Sequence, residues 1–261
     1  MKNKNLFELI KAHADSGATS ALLLNHLESL ATIDDDALQK RLLKELIHNY
    51  VMLEKRVDSL LKNTLPATVA EEIKYEGQFL PRSYICTILF TDFMGFTQLA
   101  EQVSRTALIE TLNIIFTEFD ALIYQYKGTK IKTIGDAYMA VFGAPIEYDR
   151  HPIMAIRAGL AMIKYMEQFN LETEHKFHMR VGIHTGQVMA GVVGKERMQF
   201  DVFGDDVNIA ARFESASVKN RINVSETTYK AAKDHFDFEE RGAISLKNKD
   251  DMKAYFVLRE R

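Results

Sequence analysis

Hydrophobic positions change their period along the chain, and the changes divide it into three stretches. Over residues 5–33 the spacing is helical, with Leu6, Leu9 and Ile10, a break at Gly17, then Ala21-Leu22-Leu23-Leu24 followed by Leu27 and Leu30. Thr32 with Asp35 three positions on resembles a capping box, which predicts a second helix running to about residue 62. Inside it Leu43, Leu46, Tyr50, Leu53, Val57 and Leu60 are spaced 3, 4, 3, 4 and 3, a heptad seam. That seam fits a short parallel dimer stalk over 43–60. The alternative is a helix packed on its own domain, because 3.5- and 3.6-residue repeats barely diverge over so few turns. Pro66 then breaks the helix and opens a connector over 64–81.

From residue 82 onward strand-like and helix-like patterns alternate. The apolar run 84–91 leads through Phe93-Met94-Gly95-Phe96-Thr97 into a helical face of Leu108, Leu112, Ile115, Phe116, Phe119, Leu122 and Ile123. Lys130-Ile131-Lys132-Thr133-Ile134 and Ala137-Tyr138-Met139-Ala140-Val141 flank Gly135-Asp136, a two-residue hairpin turn with glycine first. Further on, the pattern predicts a helix over about 151–169, strands near 177–184, 187–193 and 198–203, and a helix over 205–217. The expected fold class of 82–261 is α+β, a mixed and largely antiparallel sheet flanked by helices, preceded by the helical region 1–63.

Composition narrows the function without choosing it. A chain 47% apolar and 26% charged is ordinary for a globular protein. The net charge of −3, the lack of a basic tract and the absence of Trp leave no electrostatic case for a nucleic-acid partner. The single Cys86 lies in an apolar strand run and reads as a small buried hydrophobe in a reducing interior. No apolar stretch reaches the roughly 18 residues that cross a bilayer, and the basic, polar start lacks a signal-peptide core, so the expectation is a cytoplasmic protein without a membrane span. The eight histidines show no metal-ligand spacing, and His184 reads as structural. Residues 1–63 balance 9 Lys/Arg against 9 Asp/Glu and carry no recognisable effector motif. A regulatory partner acting through residues 1–33 is an expectation only.

The candidate chemistry starts from two carboxylates. Asp92 ends an apolar strand and Asp136 occupies the hairpin turn, and carboxylates delivered to strand ends are a usual way to hold divalent metals for phosphoryl transfer. Either aspartate alone would be better explained as a cap or turn residue. The βα start after Asp92 aims backbone N–H groups at an anion. Lys132 lies inside a strand, where a charge calls for a partner or a ligand, and Asp201, also in a strand, is such a partner or co-reader. Asn208 and Arg212 are four apart, so an amide and a guanidinium share one helix face. A solvated edge charge and a plain polar helix face are the duller readings of Lys132 and of the Asn/Arg pair.

Taken in order, Phe90-Thr91-Asp92-Phe93-Met94-Gly95-Phe96-Thr97, Lys132-Thr133-Ile134-Gly135-Asp136-Ala137-Tyr138, Arg180-Val181-Gly182-Ile183-His184-Thr185-Gly186 and the run from Asp201 to Arg212 resemble the catalytic domain of class III nucleotidyl cyclases. The resemblance covers residues 84–258 and implies that domain's ferredoxin-like α+β fold. It implies that Asp92 and Asp136 bind two Mg²⁺ or Mn²⁺ ions, with the Phe93 carbonyl as a further ligand, and that Phe93, Gly95, Phe96 and Thr97 lie against the substrate. Lys132 and Asp201 match the pair that selects adenine, where guanylate cyclases of the family generally carry Glu and Cys. Asn208 would orient the ribose, Arg212 would stabilise charge at the α-phosphate, and Arg180 and Lys247 would hold the terminal phosphates. The loop around Lys247 departs from the family's usual Val-Lys-Gly-Lys-Gly by having Leu246, Asn248 and Asp250.

The activity implied is an adenylate cyclase, a lyase turning ATP into 3′,5′-cyclic AMP and pyrophosphate. In this family the metal aspartates and the Lys/Asp and Asn/Arg sets meet across a subunit interface. Since this chain carries all six, the expected assembly is a homodimer. The alternatives are a guanylate cyclase, which would need other base readers, and a non-catalytic nucleotide-sensing dimer. A diguanylate cyclase would need the Gly-Gly-Asp/Glu-Glu-Phe signature, which is absent at the hairpin.

Overall fold

The computed structural model describes residue 32 and residues 35–244 and 251–261. The expectations for residues 5–31 and for Lys247 therefore lie outside the described residues. Chain contacts separate two compact units, Met1–Asn63 and Thr64–Arg261.

In the first unit, helix α1 spans Asp36–Thr64. Its start differs from the expected capping box on Thr32. Asp35 itself is the cap, its Oδ1 accepting from the backbone N–H of Ala37 at 2.9 Å and of Leu38 at 3.1 Å. An aspartate already placed one residue before the helix satisfies the orphan donors by the shortest route. No residue of α1 is buried, and Leu53 and Leu60 of the heptad seam are each 59% exposed.

The second unit begins inside the expected connector. Helix α2, Ala67–Glu76, ends on Gly77 in the left-handed conformation, as a helix C-terminus favours. Leu65, Val69, Ala70 and Phe79 around it are buried. The Phe79 ring meets Phe200 edge-on at 5.7 Å and lies under the Arg82 guanidinium at 4.6 Å. Pro66 does stop α1, but the apolar residues beyond it pack.

Eight strands form one sheet: β1 Arg82–Met94, β2 Gly128–Ile134, β3 Ala137–Phe142, β4 His178–Val193, β5 Gln199–Phe203, β6 Ile222–Ser225, β7 Phe236–Ile244 and β8 Met252–Glu260. Their order is β2-β3-β1-β4-β6-β8-β7, with β5 paired to β4. Among the described residues only the β4–β6 pair is parallel, so the sheet is mixed and largely antiparallel as expected. The intervening helices are α3 Phe96–Gln102, α4 Arg105–Gln125, α5 His151–Glu172, α6 Asp205–Ser215 and α7 Glu226–Ala232. Among the described residues no helix is long and apolar enough to cross a membrane.

One strand differs from the sequence reading. Residues 177–184 and 187–193 were expected as two strands, with Thr185-Gly186 between them, yet β4 runs unbroken and pairs with β1 from His178 through Ala190. Gly186 is there for space. A Cβ on it would lie 2.3 Å from the carboxyl carbon of Asp206 on α6. The same logic governs Gly182, where a Cβ would fall 1.9 Å from the backbone nitrogen of Glu214.

Alternation along β4 sorts the two faces of the sheet. Val181 and Ile183 enter the main core with Ile115, Phe119 and Ile123 of α4 and Ile156 and Met162 of α5. Gly182, between them, points to the opposite face and lets the α6 backbone come almost into contact. Helices α4 and α5 thus cover one face, and α6 is seated on the other.

Gly182→Ala should destabilise the protein by about 1–3 kcal/mol or more, since rigid backbone rather than a flexible side chain occupies the space. Gly191→Ala, whose added methyl would meet Pro81 at an ordinary 3.5 Å, should leave stability unchanged or slightly raised. Urea unfolding of both variants checks the contrast.

Candidate active site

The site is built at one end of β1, where Asp92 stands opposite Arg180 of β4. Arg180 Nη2 donates to Asp92 Oδ2 at 2.5 Å, and Nη1 donates to the Ser215 carbonyl at 3.3 Å. Its Nε lies 3.0 Å from Glu214 Oε1, close enough to attract but not aligned as a hydrogen bond. The guanidinium therefore sits between two carboxylates, one from β1 and one from α6.

Asp136 reaches the same place from the tip of the β2–β3 hairpin. Ile134 pairs with Ala137, so the loop holds two residues, and Gly135 supplies the positive φ of +63° that the turn requires. The nearby backbone N–H groups of Asp136 itself and of Phe93 favour the charged form of its carboxylate, but they do not prevail. Burial, with the charge of Asp92 adding to it, pushes the Asp136 carboxyl above the usual aspartate range. Glu214 is likewise pushed up, first by burial and then by Asp92 and Asp136, with Arg180 opposing. Three carboxylates thus share this corner with one guanidinium.

That electrostatic excess is what a hard cation would relieve. Two carboxylates and a nearby backbone carbonyl form an all-oxygen donor set suited to Mg²⁺ or Mn²⁺. Among the described residues no group of three or more His, Cys, Asp and Glu could hold a metal ion unaided. The residues fit a metal that takes its remaining ligands from phosphates and water.

The expected substrate-binding turn follows β1 directly. The Phe93 ring is buried, packed edge-on against Phe177 at 5.7 Å and near-parallel to the half-buried Phe96 at 6.5 Å, so Phe93 could offer a ligand only its backbone. Gly95 precedes α3 with φ +72°, and its carbonyl accepts from the Leu99 N–H at 3.1 Å. Thr97 lies in the first turn of α3.

Lys132 of β2 and Asp201 of β5 meet as an ion pair, Nζ to Oδ2 at 2.5 Å. Asp201 is 9% exposed and its Oδ1 accepts from the Val202 N–H at 2.9 Å, which fixes the carboxylate plane. The charge inside a strand has the partner that its position called for.

Asn208 and Arg212 both lie on α6, which buries Ile209, Ala210, Phe213 and Glu214 against the sheet. At 100° per residue, Arg212 is turned about 160° and Asn208 about 120° from Glu214 around the helix axis. Glu214 meets Arg180, so the Asn/Arg pair points away from the Asp92–Asp136 corner of its own chain.

Residues 81–259 match the adenylate and guanylate cyclase catalytic domain. The chain belongs to that family. It is 34% identical to the guanylate cyclase soluble subunit beta-2 of Rattus norvegicus over 252 residues, 94% of this chain and 37% of that protein. It is 36% identical to the adenylate cyclase of Mycobacterium bovis over 205 residues, 78% of this chain and 46% of the relative. The chain thus spans less than half the length of either relative. Among solved structures, the adenylyl cyclase CyaB from P. aeruginosa superposes with a TM-score of 0.66 at 32% identity, covering 70% of this chain and 98% of that one. The cyclase domain's mixed sheet and flanking helices are those described above.

Two parts of this cyclase domain escaped the sequence reading. Glu214 did leave a signal, since it continues the apolar face of α6 formed by Ile209, Ala210 and Phe213, where a charge demands a partner. The other is a string of polar side chains, all buried but the half-buried Thr185. It runs from His151 Nδ1 to Thr87 at 2.8 Å, on to Thr185 at 2.8 Å and to Thr228 at 2.9 Å. Ser225 continues it to His184 Nδ1 at 2.8 Å. Threonine and serine at strand positions resemble ordinary β residues, and Thr228 an ordinary helix residue, so nothing in the sequence marked them.

A carboxyl whose folded-state pKa is raised adds stability that is present below its ordinary pKa and lost as pH rises through the raised value. Metal-free Asp136→Asn should therefore melt higher than the wild type at pH 7, and the difference should shrink as pH falls towards about 4. Adding Mn²⁺ should raise the wild-type melting temperature and leave that of the variant nearly unchanged. Thermal unfolding followed by circular dichroism, with and without metal, checks both.

Proposed function

We propose that this chain converts ATP to 3′,5′-cyclic AMP and pyrophosphate at sites shared between two copies. The observation that carries the choice of base is the Lys132–Asp201 pair. One carboxylate and one ammonium, held side by side, match the edge of adenine: Asp201 accepts from the exocyclic amine and Lys132 donates to a ring nitrogen. Guanine presents a carbonyl where adenine presents the amine, which would set two acceptors face to face.

Asp92, Asp136 and the Phe93 carbonyl would hold two Mg²⁺ or Mn²⁺ ions. Such ions, when bound, acidify the ribose 3′-hydroxyl and neutralise the triphosphate and departing pyrophosphate. Arg180, already beside Asp92, is within a side chain's reach of phosphates seated there. Asn208 would orient the ribose so that its 3′-oxygen lies in line with the α-phosphorus. Arg212 would meet the charge that builds on the α-phosphate as the 3′-oxygen bonds to phosphorus and the bridging oxygen leaves. No side chain is assigned as general base.

Two features support sharing between copies. Asn208 and Arg212 face away from the metal corner of their own chain, so a second chain is needed to bring both sets to one nucleotide. The strand face that carries Asp201 also exposes apolar surface: Ile85 is 69%, Met189 47% and Phe203 47% exposed, with Met189 and Phe203 in register. An isologous two-fold contact would cover that surface twice. The exposed seam of α1 is, by itself, a further surface that a second copy could cover.

Purified protein incubated with ATP or GTP and Mn²⁺, with the products separated by chromatography, tests the reading. Cyclic AMP from ATP is the expected product. Preferred turnover of GTP would put this chain with the guanylate cyclase relative, and tight ATP binding without turnover would make it a sensor. Arg212→Ala should lower kcat by about 10²–10³-fold with little change in KM, because the charge it meets develops only in the transition state. Mixing inactive Asp92→Asn with inactive Arg212→Ala should restore about a quarter of the wild-type sites, since half the random dimers are mixed and each rebuilds one of its two sites. No recovery on mixing would show that sites are not shared.

A further inference from the structure

Strand β4 and helix α6 are joined by one buried imidazole. His184, 3% exposed, lies with Nε2 at 2.9 Å from Asp206 Oδ1. A carboxylate only accepts, so Nε2 carries the proton whether the ring is neutral or charged. The other oxygen of Asp206 accepts from the Gln187 N–H of β4 at 2.8 Å. Seven residues on, the Phe213 ring stacks on the same imidazole, with centroids 6.2 Å apart and planes 14° from parallel. Residues 206 and 213 are two helical turns apart and share a face. His184 therefore grips α6 at two points, and Asn208 and Arg212 lie between them.

The grip has a built-in fit. Gly186 leaves the space that the Asp206 carboxylate fills, and Ser225, itself buried, bonds the far side of the imidazole at 2.8 Å. The ring thus has both nitrogens and one face occupied, so it has little freedom to tilt. This helix of 11 residues has Gly204 as its N-cap and no side-chain cap hydrogen bond.

We infer that His184 and Asp206 are positioning residues for the reaction: they fix the axial position and rotation of α6 and so hold Asn208 and Arg212 where the ribose and α-phosphate are read. This rests on the cyclase reading above, and extends it to residues that touch neither nucleotide nor metal. A displacement of about 1 Å in a group acting on the transition state can cost ~10²-fold in rate. The anchor should accordingly act on turnover rather than on nucleotide affinity, which the base pair Lys132–Asp201 and the metal corner supply independently of α6's first turn.

The test uses the full chain with His184→Phe, which keeps a ring against Phe213 but loses both hydrogen bonds, and Asp206→Asn, which sets an amide NH₂ against one of the two donors. Each should lower kcat by roughly 10–100-fold with KM for ATP changed by less than about threefold. His184→Gln, whose amide N–H can take the place of the Nε2–H, should recover most of that loss. In an Arg212→Ala background, His184→Phe should cost clearly less than in the wild type, because one of the two residues that the anchor acts through is already gone. Amide hydrogen exchange of residues 208–212 should quicken about tenfold in His184→Phe while the amides of β1 keep their wild-type rates. An undiminished further loss in the Arg212→Ala background, or unchanged exchange in α6, overturns the inference. If the wild type forms no cyclic nucleotide from either ATP or GTP, the cyclase reading fails, and the exchange experiment still decides whether His184 anchors the helix.

Discussion

The arrangement of this domain depends on how closely one helix can approach one strand. At Gly182 the backbone of α6 occupies the space where any other residue would place a Cβ, and at Gly186 a carboxylate does. These contacts set the depth at which α6 sits on the sheet. Because Glu214 is part of the closest approach, that depth also fixes how near its carboxylate comes to Arg180 and hence to Asp92. The geometry of the charged corner is therefore a by-product of two missing methyl groups on a strand.

The charged corner is a poor arrangement for stability. Asp92, Asp136 and Glu214 crowd one another, and burial raises the cost of charge on Asp136 and Glu214. Arg180 offsets part of it. A sheet designed only to persist would not place a carboxylate at the end of its central strand facing a second one at a hairpin tip. The strain of like charges is tolerable here because the pairing of β1 with β3 and β4 on either side holds that end of the sheet firmly. The structure spends packing energy from its core to keep a cation-hungry site open.

What could be read from the chain follows from which interactions are local. The hairpin at Gly135-Asp136, the α6 face carrying Asn208 and Arg212, and the largely antiparallel sheet all come from short-range pattern, and they stand where expected. The break placed at Thr185-Gly186 was wrong because glycine serves both turns and close approaches, and only the position of α6, some twenty residues later, tells which. The packing of Leu65, Val69 and Phe79 was missed for a related reason: their partners, such as Phe200, are far along the chain. Lys132 was legible as needing a partner, and the identity of that partner was accessible because a strand position is an uncomfortable place for Asp201 as well. The hydroxyl string ending at His184 could not be seen, since each member is unremarkable until three strands and two helices bring them together.

Lys132 and Asp136 lie on the same two-stranded ribbon, residues 128–142, the first within its strand and the second at its tip. In the two-fold assembly proposed above, one of them faces the base of one nucleotide while the other faces the phosphates of its neighbour. A purine pressing on Lys132 therefore pushes on a lever whose end holds the other site's aspartate. The ladder irregularity between Lys130 and Lys132 is the natural place for that lever to flex. In such an assembly each ribbon would serve both centres, one through its strand and the other through its tip.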